Sequence, residues 1–152
     1  GIGAFVAMVL LAVLICSALV LEQLVYTERE LVEVSLSGIT DALEANDQPG
    51  VLLHLAPSAT ETRNLVEKLM PELDIEKANV MSEIEITLDD EKSPTRATAK
   101  FRGFFHAKHT SGMAGGRPFP VEVDLVREDN KWLIESFRSD DDFESQAARL
   151  MK

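Results

Sequence analysis

The sequence predicts an α+β protein: an N-terminal transmembrane helix followed by three helices packed on a curved antiparallel sheet of about four strands. Three observations predict it. Residues 1–21 form an uncharged, apolar run. Residues 27–71 carry helix-capping and helix-spacing signals, and beyond Asp74 the apolar period changes to two. With 152 residues, 45% apolar and 27% charged, the chain has room for roughly one domain of the usual ~100–150 residues. The expected organisation is an anchor over residues 1–21, an α+β domain over 22–138 and an acidic tail over 139–152.

A bilayer core of ~30 Å needs about 20 apolar residues of helix, and GIGAFVAMVLLAVLICSALVL supplies them. The rival reading is a secretory signal peptide, because Cys16-Ser17-Ala18 loosely fits a small-x-small cleavage site. The apolar part of such signals runs only ~7–15 residues. A lipoprotein signal fits less well, with Ile15 where a small residue should precede Cys16, and a run this uniform is a poor core helix. Whether the segment is retained or cleaved stays open. Because the first residue is Gly1 rather than methionine, an upstream segment is expected. The visible flank, Glu22, Glu28, Arg29, Glu30 and Glu33, is poor in Lys and Arg, which favours the domain on the non-cytoplasmic side. A net charge of -11 without any basic cluster excludes nucleic acid as a partner. Cys16 is the single cysteine, so no intrachain disulfide or cysteine metal cage forms. No cofactor is expected.

After the run, Thr27 and Glu30 have capping-box spacing. Val32, Leu36, Ile39 and Leu43 then recur at helical spacing opposite Glu33, Ser37, Asp41 and Glu44. Asn46-Asp47-Gln48-Pro49-Gly50 ends that helix. Residues 51–56 read as a short second helix stopped by Pro57. Ser58 and Glu61 repeat the capping box before a third, with Leu65, Val66, Leu69 and Met70, closed by Pro71. Ile84, Ile86 and Leu88 alternate with polar residues as a first strand. A longer one from Thr95 puts Ala97, Ala99, Phe101, Gly103 and Phe105 on one face, with a bend or bulge at Gly103. Residues 110–118 read as a loop. Phe119, Val121, Val123 and Leu125 form the inner face of the next strand, and Asp129-Asn130 is a hairpin signal before the last, residues 132–137. In it Trp132 and Ile134 share one face, Leu133 and Phe137 the other. Both faces therefore need cover, from Phe143 and Leu150 of the tail or from a second protein.

The first helix ending in DALEANDQPGVLLHLAPSAT, a further helix and a sheet finishing in VEVDLVREDNKWLIESF resemble the cone-shaped domains of the nuclear transport factor two, SnoaL and ketosteroid isomerase superfamily over residues 27–137. The resemblance implies a sheet wrapped around helices to leave a pocket, used by some members for catalysis and by others to bind a ligand or partner. Some single-pass members, among them an assembly subunit of type IV secretion systems, hold such a domain in the periplasm.

The expected pocket or partner surface comprises His54, Phe101, Phe105, Phe119, Trp132 and Phe137. His54 is the candidate acid or base, since an imidazole titrates near neutrality; the plainer reading is a hydrogen-bonded, half-buried histidine. Tyr26 and Asp41 do not match an isomerase's tyrosine and acid, because Asp41 is on the polar side of its helix and Tyr26 sits at the membrane boundary. His106 and His109, three apart on a strand, point to opposite faces and form no metal pair. Lys100 and Arg102 are set against Glu122 and Asp124 as surface ion pairs. Three functions remain: a membrane-tethered, non-catalytic binding or assembly module meeting an envelope partner or small apolar ligand; a small isomerase- or dehydratase-like enzyme acting on an apolar substrate; and a structural subunit held through its transmembrane helix. Small residues at Gly1, Gly3, Ala4 and Ala7 permit the tight helix contact the last requires. The oligomeric state is not legible.

Overall fold

The computed structural model describes residues 1–24, 27–112 and 114–139, with side chains throughout except at 5 and 16–24. Helix α1 (Ile2–Leu24) carries the apolar run. Met8, Val9, Leu10 and Leu11 are consecutive, so they point around most of the helix, and all are exposed. Among the described residues no helix is long and apolar enough to cross a membrane. The anchor thus remains an expectation, and Tyr26, Phe143 and Leu150 lie outside the described residues.

Helix α2 (Glu28–Glu44) starts at the predicted capping box, with Glu30 N donating to Thr27 Oγ1 at 3.3 Å and Thr27 N to Glu30 Oε2 at 2.7 Å. Its stripe packs as expected: Val32 and Leu36 are buried, Ile39 packs beside them, and Leu43 packs on a second cluster with Ala42 and Val51. Helix α3 (Gln48–Leu53) begins and ends earlier than predicted. The helix stops at His54, its C-cap, because Leu55 bridges to the last strand: Ile134 N donates to His54 O and Ala56 N to Ile134 O, both at 2.8 Å. Helix α4 (Thr60–Leu69) lacks the predicted Ser58 cap. A tight turn, in which Ala59 N donates to Ala56 O and Thr60 N to Ser58 O, makes Ala59 the N-cap and leaves Ser58 outside. Pro71 sits within a 3-10 turn, Met70–Glu72, that leads into the sheet.

Among the described residues the strands number five, where about four were expected: β1 (Leu73–Val80), β2 (Glu85–Leu88), β3 (Arg96–His109), β4 (Ala114–Glu128) and β5 (Lys131–Ser139). All pair antiparallel in the order β1-β3-β4-β5, with β2 lying end to end with β1 along β3. Two further expectations are corrected. Residues 114–118 belong to β4, because the backbone of β3 out to Lys108 pairs with them. Gly103 is neither bend nor bulge; it pairs in unbroken register with Phe119, and a Cβ there would sit 3.3 Å from Val121 Cγ2, so the glycine makes room for that side chain. The irregularities lie between Ile75 and Lys77 and between Asp124 and Leu125. The hairpin at Asp129 and Asn130 is as predicted, with φ of 48° and 60°.

The first turn of α2 reaches both sides of this sheet. Arg29 donates to the carbonyl of Ile86 in β2, whereas Glu28 accepts from Arg127 Nη1 at 2.6 Å and from Trp132 Nε1 at 3.1 Å in β4 and β5. Since β2 and β5 flank opposite sides of the β3–β4 pair, the sheet must curl around the start of α2. At the far end of α2, Asn46 exchanges hydrogen bonds with the backbone of Ile75, at 2.8 and 3.1 Å, and Glu44 accepts from Ala78 N at 2.9 Å. These side chains occupy backbone groups that an open edge strand would otherwise present to another chain.

Candidate ligand-binding face

Directly opposed residues of antiparallel strands share a face. The register aligns Phe105 with Arg117, Gly103 with Phe119, Phe101 with Val121 and Ser139, and Ala99 with Val123 and Phe137. Val123 is buried, and Phe101 and Val121 pack against the cluster that contains it and Leu36. The whole set therefore lies on the concave, helix-facing side. Trp132, Ile134 and Leu125 are sealed beneath α2. Towards the other end of the β3–β4 hairpin and the end of β5 the cover is less complete: Phe119, Val121 and Arg117 are half-buried and Phe137 is exposed.

Phe137 is thus on the same face as Trp132 and Ile134, not opposite them as predicted. The register steps from Asp124 paired with Ser136 to Leu125 paired with Ile134, which leaves Glu135 as an extra residue and turns the rest of β5 over. Of the other expected residues, Trp132 is a core residue held by Glu28, and Phe105 packs on a second cluster with Ile75, Ala78 and Met70. His54 is engaged by the helices. Its Nδ1 lies 2.8 Å from Gly50 O, which accepts its proton, and its ring covers Gly38 of α2, where a Cβ would fall 3.3 Å from both Cδ2 and Cε1 and closer still to Nε2. That is a packing role between helices. Arg117 and Ser139 were missed by sequence reasoning; only the register brings them onto this face.

The convex face is chemically the reverse. Lys100 lies opposite Glu122 at 3.8 Å, and Arg138 pairs with Glu122 at 2.5 Å and Asp124 at 3.0 Å. Asp124 also accepts from Thr98 and Ser136. Arg102 falls opposite Pro120, so the expected ion pairing holds for Lys100 and not for Arg102. His106 Nδ1 lies 2.8 Å from Glu76 Oε2, and Lys108 beside them holds the Glu76 carboxyl below its ordinary value. His109 turns instead to Ser111 and Glu72. Among the described residues no group of three or more His, Cys, Asp or Glu side chains is arranged to hold a metal ion.

One open groove of about 570 Å³ runs along the outer side of α2 against β1, lined by Glu30, Glu33, Asp41, Glu44, Asn79 and Val80 among others. It contains none of the expected site residues. Its carboxylates form a solvated helix face, and the concave face of the sheet is the better candidate because it is apolar and only partly covered.

A curled antiparallel sheet closed on one side by a long capped helix defines a cone-type α+β domain. No protein-family model and no curated protein matches the chain. Solved structures do. A Xanthomonas campestris protein named for a calcium/calmodulin-dependent protein kinase II association domain is similar with a TM-score of 0.59 and 16% identity over 75% of this chain and 87% of that one. A Streptomyces avermitilis protein named as a dehydratase of the NTF2-like family gives 0.57 and 11% identity, covering 74% and 94%. A ketosteroid isomerase-like protein from Erwinia carotovora gives 0.52 and 10%, covering 74% and 95%. The chain has the NTF2-like fold, as its sequence resemblance implied.

Proposed function

We propose that the domain binds a small apolar molecule on the concave face of its sheet, between Phe101, Val121, Phe119 and Phe137. The observation that carries this is the contrast between the two faces. The convex side presents paired charges, while the concave side presents partly covered aromatic and aliphatic side chains, which water solvates poorly. The names of the dehydratase and the isomerase-like protein favour turnover of such a molecule over a purely structural role. His54 is engaged by Gly50 and Gly38, so an enzyme on this face would move its proton with another group. A methyl NMR titration of the full chain in a non-ionic detergent with phenylbutanol tests the reading. Shifts should gather at Val121 and Val123; shifts confined to the groove outside α2, or none, would refute it.

A second proposal concerns α1, whose described side chains are apolar and exposed around most of the helix. A helix apolar all round belongs in a protein core or a bilayer, and this favours a tether that keeps the domain at a membrane, on its non-cytoplasmic side, where local concentration aids encounter with a partner. Alkaline carbonate extraction of membranes from expressing cells separates the outcomes: a tethered chain stays in the pellet, an untethered one is released.

A further inference from the structure

We infer that Arg117 recognises the carboxylate of an apolar acid bound on the concave face, an inference that rests on the binding reading above and names its ligand class. Arg117 stands on the concave side of β4, in register with Phe105 and two residues from Phe119. Its Nε is buried with no hydrogen-bond partner. Orphaned buried donors are rare in folded proteins and call for a specific reason. Arg29, Arg96, Arg127 and Arg138 pair with carboxylates and Arg63 donates to the carbonyls of Leu52 and Leu55; among the described residues Arg102, on the convex face opposite Pro120, and Arg117 form no ion pair, and of these two only Arg117 lies on the concave face. In a chain with 26 acidic and 15 basic residues, an arginine on an apolar face with a buried, unpartnered Nε is suited to an anionic ligand.

The geometry sets the shape of that ligand. Guanidinium Nε and Nη groups form a planar fork that matches a carboxylate through two parallel hydrogen bonds. A second orphan, Ser139 Oγ, is buried on the same face, where Ser139 pairs with Val121. Val121 is four positions on from Arg117, about 13 Å along the strand at a rise of ~3.3 Å, and Phe119 lies between them. A molecule with a carboxylate at one end, an apolar body and a hydrogen-bonding atom towards the other end fits these groups. A neutral hydrocarbon would leave both orphans unsatisfied.

The test compares phenylbutyrate with phenylbutanol, which differ at the head group, by calorimetric titration of the full chain in non-ionic detergent. The acid should bind about tenfold or more tightly than the alcohol, the range of a charge-assisted pair. Arg117→Gln should abolish that preference while leaving the alcohol's affinity unchanged, and Arg117→Lys should keep part of it and guard against a folding defect. Equal binding of acid and alcohol, or a preference that survives Arg117→Gln, overturns the assignment to Arg117 and leaves the concave site standing. Failure of both molecules to bind overturns the site itself.

Discussion

Gly38 and His54 give a prediction in which the sign of an effect depends on the background. In an exposed helix interior, alanine is favoured over glycine by about 1 kcal/mol. Gly38 lies inside α2, so Gly38→Ala should stabilise the helix. Here the new methyl would lie 3.3 Å from Cδ2 and Cε1 of His54 and inside contact distance of Nε2. The ring cannot retreat without loosening its 2.8 Å bond to Gly50 O, which contributes about 1 kcal/mol, and overpacking adds about 1–3 kcal/mol. The net expectation is a loss of about 1–3 kcal/mol with His54 present. With His54→Ala the obstacle is gone, and the same change should gain about 1 kcal/mol. The coupling between the two sites is then about 2–4 kcal/mol, at or above the high end for residues in contact. Urea denaturation of the four proteins, with unchanged m-values, measures it. Stabilisation by Gly38→Ala in the presence of His54, or additive effects, would show that the imidazole is free to leave the helix and would restore it as a candidate acid or base.

Glu28→Ala removes the acceptor of the buried Trp132 indole N–H and the partner of Arg127, and should cost about 1–3 kcal/mol in urea denaturation; Glu28→Gln, which keeps an acceptor, should cost less. Gly116→Ala places a Cβ 2.5 Å from Cδ2 and 2.8 Å from Cβ of His106, so the strands must part by an amount worth about 1–3 kcal/mol. Because the His106 Cβ persists in alanine, His106→Ala should rescue that variant only in part. Asp89 accepts from Thr95 Oγ1 at 2.6 Å and from the backbone N–H groups of Thr95 and Arg96, and these bonds, the Thr95 hydroxyl first, lower its carboxyl from 3.8 to about 2. The unfolded chain binds this proton more readily, so the stabilisation is present above about pH 4 and fades as pH falls towards 2. Thermal melts of Asp89→Asn should lack this part of the acid dependence, and melts that parallel the wild type down to pH 2 would exclude the role.

Local signals were legible wherever local chemistry decides the backbone. Thr27 and Glu30 satisfy each other's amides regardless of what the helix meets later. Asp129 and Asn130 tolerate the positive φ that a two-residue hairpin imposes. Partners distant in sequence decided the rest. β1 escaped detection because its bulge puts the buried residues, Ile75 and Ala78, three apart, which is not a strand period. Gly115 and Gly116 look like loop residues and are strand residues because β3 runs long enough to pair with them. The candidate site suffered most. One extra residue at Glu135 moves Phe137 to the concave side, and Arg117 and Ser139 belong to the site only through register.

The same register argument limits what chemistry the concave face can offer. Its strand positions, from Ala97 to Ala107 in β3 and from Leu125 back to Gly115 in β4, are aliphatic or aromatic side chains, glycines and Arg117, with Phe137 and Ser139 completing the face from β5. None of these strand residues is a carboxylate or an imidazole. A fixed cation next to an apolar wall stabilises negative charge more strongly than it would in water, since the pair interacts through a lower dielectric. Arg117 is therefore suited to bind an acid, or to hold the negative charge that develops when a carbonyl compound loses an adjacent proton, but not to remove that proton. If the domain turns over its ligand, the strands supply the electrostatic half of the mechanism. The base must then come from the helical side, from residues outside the described set, or from the substrate itself.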